Sequence, residues 1–156
     1  MGKEIERKFL VTNDAWRAGA KGKRYVQGYL STNKERTVRV RIAGEQAFLT
    51  IKGLTVGTAR AEFEYAIPVP DAAEMLKSLC EQPIIEKTRY KVEHGGLTWE
   101  IDEFDGVNKG LIVAEVELSS EGQSIDKPSW AGADVSDDRR YFNSNLISKP
   151  FTTWGG

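Results

Sequence analysis

Acidic and basic side chains recur two residues apart along this sequence, and their signs are sorted. Glu4, Glu6 and Lys8 alternate with Ile5 and Phe9, Arg39 and Arg41 with Val38, Val40 and Ile42, and Thr50 and Lys52 with Leu49 and Ile51. Arg60, Glu62 and Glu64 alternate with Phe63, Tyr65 and Ile67. Further on, Lys87, Arg89 and Lys91 alternate with Thr88, Tyr90 and Val92, Glu100 and Asp102 with Trp99 and Ile101, and Glu115 and Glu117 with Ala114, Val116 and Leu118. Side chains two apart on a strand point the same way, so each set is an ionic row backed by an apolar one. A solvated outer face is the ordinary reading of any one such strand. Solvated faces mix in Ser, Thr, Asn and Gln, however, whereas these rows are almost wholly ionic, and like charges along one strand repel.

The other orientation turns the ionic rows inward onto a shared, water-filled bore. Enclosed like charges persist only when paired or bound to counter-ions. Lys8, Arg39, Arg41, Lys52, Lys87 and Arg89 give the bore six positive groups, and Glu4, Glu6, Glu62, Glu64, Glu100, Asp102, Glu115 and Glu117 give it eight negative ones. Such a bore holds a highly anionic ligand against its basic groups and divalent cations against its carboxylates. Polyphosphates are metabolites that need both.

The elements that position these rows are mostly strands. Period-two patterning predicts strands over 3–11, 24–31, 36–43, 46–53, 59–68, 84–93, 97–105 and 111–119. Short turns such as Ala43-Gly44-Glu45 and His94-Gly95-Gly96 separate them and favour antiparallel neighbours. Helices are expected over 12–19, over 71–80 with Asp71 as N-cap and Ala72, Met75, Leu76 and Leu79 as an apolar stripe, and within 126–131, with a tail helix near 138–147. The fold class is mainly β: an eight-stranded antiparallel closed barrel with a charged interior and a few flanking helices. Closure removes exposed strand edges, and eight strands leave room for side chains or one small ligand.

The 156 residues suit one domain over 1–156. A formal net charge of −1 argues against nucleic acid or a membrane surface as a partner held by bulk charge. The lone Cys80 reads as a small apolar residue at a helix end and fits a reducing compartment. Charges at the amino terminus stand where a signal peptide needs an apolar stretch, and no run is long enough to span a bilayer, so the cytoplasm is expected. His94 reads as a solvated turn residue, and Tyr29 as a packing residue that could also reach the bore.

The opening Glu4-Ile5-Glu6-Arg7-Lys8-Phe9 resembles the Glu-x-Glu-x-Lys signature of the CYTH superfamily, the triphosphate tunnel metalloenzymes. The resemblance continues through Arg39-x-Arg41, Thr50-x-Lys52, Arg60-x-Glu62-x-Glu64, Glu86-Lys87-x-Arg89-Tyr90, Glu100-x-Asp102, Glu115-x-Glu117 and Arg140-Tyr141-x-Asn143, nearly the whole chain. It implies a tunnel barrel that binds a small anionic triphosphate and works with Mg²⁺ or Mn²⁺, two ions per site. The compact chain is most similar to small bacterial members that hydrolyse inorganic tripolyphosphate. On this resemblance Arg39, Arg41, Lys52, Lys87 and Arg89 hold phosphate oxygens, and Lys8 contacts the phosphoryl group under attack. Glu4, Glu6 and Glu117 ligate metal, with Glu115 and Asp102 as second choices. Lys87 joins Lys8 in the catalytic set, and Glu62 or Glu64 accepts the proton of the attacking water. The tail from Asp137 to Tyr141 resembles a family segment that packs against one tunnel end.

The same tunnel could serve a class IV adenylate cyclase or a triphosphatase for nucleotide or thiamine triphosphate. A non-catalytic polyphosphate-binding module is the reading from another class, and an intact acidic set argues against it. Apolar outer faces that the few helices leave uncovered point to a homodimer.

Overall fold

The computed structural model describes residues 3–154. Its strands are β1 (Glu4–Val11), β2 (Gly22–Ser31), β3 (Arg36–Ala43), β4 (Gln46–Gly53), β5 (Ala59–Arg60), β6 (Glu62–Ile67), β7 (Ile85–His94), β8 (Leu97–Phe104), β9 (Ile112–Glu117) and β10 (Ala131–Asp134). They form a ten-stranded sheet in the order β10-β1-β9-β8-β7-β2-β3-β4-β6, with β5 paired to β1. The pairings are antiparallel, as the short turns require. At the β7–β8 turn Gly95 and Gly96 both have positive φ, 60° and 78°, a conformation that only glycine adopts without steric cost.

The expected eight-stranded barrel closed by hydrogen bonds is not what forms. The segment predicted as one strand over 59–68 splits at Ala61: β5 follows β1, while β6 follows β4. Among the described residues β6 has no ladder to β1, so the seam is crossed by the covalent chain rather than by paired strands. The tenth strand, β10, is also a correction. Helix was expected within 126–131; instead the chain turns at Pro128 and enters an edge strand on β1, with Phe9 opposite Asp134 and Val11 opposite Ala131. Nothing in Ala131-Gly132-Ala133-Asp134 has a strand pattern of its own, so this strand exists through its partner.

Helices are fewer than expected. Residues 12–19 supply only a 3₁₀ turn, Ala15–Arg17. Helix α1 (Val69–Ser78) begins two residues earlier than predicted, after Pro68, which leaves Asp71 in the first turn, where its charge suits the helix N-terminus. Ala72 and Leu76 are buried beneath it, but Leu79 lies at the helix end and is 65% exposed. The tail breaks into a 3₁₀ turn, Arg139–Tyr141, and a one-turn helix α2 (Asn145–Ser148). No helix of the described residues is long and apolar enough to cross a membrane.

Apolar side chains form three clusters, two of them outward rows under covers. Ile5, Phe9, Trp99, Ile101 and Val116 lie beneath Trp16, Trp130 and Ala131. Val40 and Ala47 lie beneath Ala72 and Leu76 of α1. There Gly28 permits close approach, since a Cβ on it would lie 2.9 Å from the Cβ of Cys80, and Cys80 is a buried packing residue. The third cluster differs: Ile85 and Val113 share the inward faces of Lys87 and Glu115, and with Tyr29, Phe104 and Leu111 they receive Leu146 and Ile147 of α2. The bore is therefore stopped at one end by apolar side chains.

Trp99 is fully buried between Phe9 and Trp130, at ring-centroid distances of 5.5 and 5.6 Å. Trp99→Ala is expected to cost about 3–5 kcal/mol of unfolding free energy, measured by urea denaturation.

Candidate functional site: an ionic bore

The ionic rows enclose a cavity of about 310 Å³. Lys8, Arg39, Arg41, Lys52, Lys87 and Arg89 line it, together with Glu4, Glu6, Glu62, Glu64, Glu100, Glu115 and Glu117. The inward orientation follows from register. Glu6 pairs with Glu117 and Lys8 with Glu115 across β1 and β9, and Glu115 pairs with Glu100 on β8. On the opposite wall Arg39 pairs with Thr50, which pairs with Glu64, and Lys52 pairs with Glu62.

Most bore cations are tethered to carboxylates. Lys52 Nζ lies 3.1 Å from both carboxylate oxygens of Glu4 and 3.5 Å from Glu62, and Arg60 Nε lies 3.1 Å from Glu4. Burial raises the Glu4 carboxyl, but Lys52 and Arg60 outweigh it and hold Glu4 below the ordinary carboxylate range. Arg39 donates from Nη2 to Thr50 at 3.1 Å and to Glu64 at 3.4 Å. Its Nε is buried with no hydrogen-bond partner among the described residues. An unsatisfied guanidinium N–H in a bore is a donor waiting for an acceptor.

Asp102 holds the other half of the cationic wall. Arg89 grips it in a two-pronged pair at 2.7 and 2.9 Å, and Lys87 Nζ approaches to 2.7 Å. Asp102 is 1% exposed and is not among the cavity-lining residues, unlike the other residues predicted for the site. Its oxygens are taken by cations, so the expectation that it ligates metal gives way to a positioning role behind Lys87 and Arg89. Burial drives the Lys87 ammonium down to about 7; Asp102 opposes this, and Arg89 and Arg41 add to it.

The carboxylate side is under-compensated. Burial pushes Glu6 well above the ordinary carboxylate range, and its neighbours Glu115 and Glu4 push it further. Glu117 is raised in the same direction, by partial burial and then by Glu4, Glu62 and Glu100. Glu115 goes the other way, because Lys8 and Arg89 outweigh its burial. Among the described residues no three of these groups converge into a ready-made metal cage. The donors still fit a hard divalent cation in chemistry: adjacent carboxylate oxygens on β1 and β9 whose mutual repulsion a cation relieves.

Sequence reasoning gave no role to three residues that contact the bore cations. The Tyr25 ring centroid lies 4.8 Å from the guanidinium carbons of both Arg41 and Arg89, a cation–π contact with each. Gln27 accepts from Arg41 Nε at 2.8 Å, and Asn143 accepts from Lys87 Nζ at 3.0 Å. Tyr25, Gln27 and Tyr29 share one face of β2, and this alternation was the available signal. It carries no charge, so it did not stand out. Tyr29 and Arg60 both line the cavity, and Arg60 pairs with Glu4.

Comparison with known proteins follows the same lines. The chain is 51% identical over 151 residues to an inorganic triphosphatase of Acetivibrio thermocellus, covering 97% of each chain. It is 40% identical over 149 residues to an inorganic triphosphatase of Nitrosomonas europaea, covering 92% of this chain and 95% of that one. A solved crystal structure of an inorganic triphosphatase superposes with a TM-score of 0.66 at 35% identity, covering 94% of this chain and 95% of the other. The CYTH domain profile matches residues 2–147, and with the ionic bore and these relatives it establishes that the chain belongs to the CYTH family.

Proposed function

We propose that this protein hydrolyses inorganic tripolyphosphate to pyrophosphate and phosphate, with Mg²⁺ or Mn²⁺, two ions per site. The observation that carries the reading is the bore itself: buried cations, one with an unsatisfied N–H, facing an uncompensated carboxylate group in a cavity stopped at one end. Relatives of 51% and 40% identity that bear the name inorganic triphosphatase support it.

In this reading Arg39, Arg41, Lys87 and Arg89 bind the phosphate chain, and Lys52 braces Glu4 as well as offering charge. Phosphoryl transfer depends on positioning and charge neutralisation, and a preorganised cationic wall supplies both. Lys8 lines the cavity with its Nζ 3.9 Å from Glu115, and in this reading it contacts the phosphoryl group under attack. Glu62 and Glu64 line the facing wall on β6 and are the candidates to accept the proton of the attacking water. Glu6, Glu115 and Glu117 would hold the divalent ions, with Glu4 nearby. When bound, such ions neutralise phosphate charge and acidify water.

The test is a substrate panel of tripolyphosphate, ATP and thiamine triphosphate, with and without divalent cation and with product identification. Phosphate release from tripolyphosphate that requires the cation is expected. Predominant cyclic AMP from ATP would replace this reading with a cyclase, and tight binding without turnover would make the chain a polyphosphate-binding module. Glu6→Ala should lose nearly all phosphate release while its circular dichroism stays unchanged. A fully active variant would remove Glu6 from the site.

Lys87 gives a pH signature. Its folded value near 7 leaves it largely neutral at pH 8. An arriving polyanion favours the ammonium, so binding takes up a proton and affinity falls as pH rises through 7 and above. Calorimetry at pH 8 without metal, in two buffers of different ionisation enthalpy, should show more proton uptake in the wild type than in Lys87→Met. Equal counts would take Lys87 out of the phosphate contacts.

Ile51, Phe63 and Tyr65 are exposed at 40%, 46% and 57% on the outer face of β4 and β6. This apolar face supports a homodimer, which light scattering should report as twice the chain mass; a monomer at all working concentrations would exclude it.

A further inference from the structure

We propose that Gln27 and Asn143 are positioning residues, a buried amide relay that aims Arg41 and Lys87 into the bore and makes the segment around Asn143 part of phosphate recognition. The inference rests on the reading of the bore as a triphosphate site. The orientation of both amides is dictated by chemistry. Guanidinium and ammonium groups only donate, so each must face an amide oxygen. Gln27 Oε1 accepts from Arg41 Nε at 2.8 Å, and Asn143 Oδ1 accepts from Lys87 Nζ at 3.0 Å. Gln27 Nε2 is then left to donate to the same Asn143 oxygen, at 3.1 Å. The relay runs Arg41, Gln27, Asn143, Lys87, and Gln27 is wholly buried within it.

What distinguishes the Arg41 end of this relay from the other tethers is its neutrality. The five other bore cations have a carboxylate partner, whereas Arg41 pairs with none among the described residues. An amide oxygen fixes a cation's direction without cancelling its charge, so the field offered to an incoming anion is kept. A carboxylate in place of Gln27 would hold Arg41 equally well and spend that field. At Lys87, where Asp102 already lies 2.7 Å away, Asn143 adds direction without a second negative charge. The same segment also gives Lys8 Nζ a neutral acceptor, the Tyr141 carbonyl at 3.0 Å. Its own position is set three and four residues on, where Leu146 and Ile147 are buried in the bore's apolar stop. Apolar burial of the tail thus places polar atoms that orient the phosphate-binding cations.

The decisive experiment measures tripolyphosphate affinity by calorimetry in EDTA, alongside KM and kcat with metal, for Asn143→Ala and Asn143→Asp. Loss of one hydrogen bond to a charged group should raise Kd and KM about tenfold in Asn143→Ala, with kcat little changed. Asn143→Asp is isosteric and still accepts from Lys87, so a purely structural role would tolerate it. The relay instead requires at least as large a rise in Kd as in Asn143→Ala, with the unfolding midpoint no lower than in the wild type. Wild-type affinity in Asn143→Asp, or a lower melting point in Asn143→Ala with unchanged Kd, would overturn the proposal. Because the affinity is read without metal, a wild-type protein that binds but does not turn over defeats the hydrolase reading alone. The relay is then still decided by the two Kd values.

Discussion

Enclosing ionic groups of both signs in one bore is the constraint on which the rest of this structure depends. Each charge removed from bulk water must find a partner, and isolated burial would cost far more than the fold's whole stability. The structure meets the requirement unevenly. Asp102 is saturated by Lys87 and Arg89, and Glu4 by Lys52 and Arg60. Arg39 keeps an unsatisfied N–H, Arg41 is held by an amide and an aromatic ring with no carboxylate partner among the described residues, and Glu6 sits against like charges. The saturated pairs stabilise the wall. The unsaturated groups are complementary to something that is both anionic and accompanied by cations.

That unevenness also separates roles that residue type alone does not. Asp102 and Glu115 are both buried acids on neighbouring strands of the same sheet. One is enclosed behind the cations and serves to aim them. The other faces the cavity beside Glu6, where Lys8 and Arg89 keep it charged. A carboxylate's function here follows from which side of the cation layer it occupies.

The apolar stop gives the bore a direction. Leu146 and Ile147 close one end against Ile85, Phe104 and Val113, and the tail just ahead of them contributes neutral acceptors to Lys8 and Lys87. Hydrophobic burial, which is non-directional, thereby fixes hydrogen-bonding groups whose geometry is directional. Outer apolar rows are buried on the other side of the sheet under two covers.

The alternation of charge and apolar residues determined by itself that the chain is mostly strand, which residues share a face, and, once the ionic rows were turned inward, nearly all the ionic residues of the bore. Those features are local, because side-chain direction along a strand has a period of two regardless of context. The split at Ala61, the strand Ala131–Asp134 and the shortened tail helix were decided only in three dimensions, because each depends on which distant strand or cluster lies alongside. Asp102's retreat behind Lys87 and Arg89, and the relay through Gln27 and Asn143, likewise join residues from separate strands and the tail. No spacing in the sequence encodes those distances; the packing of the folded chain sets them.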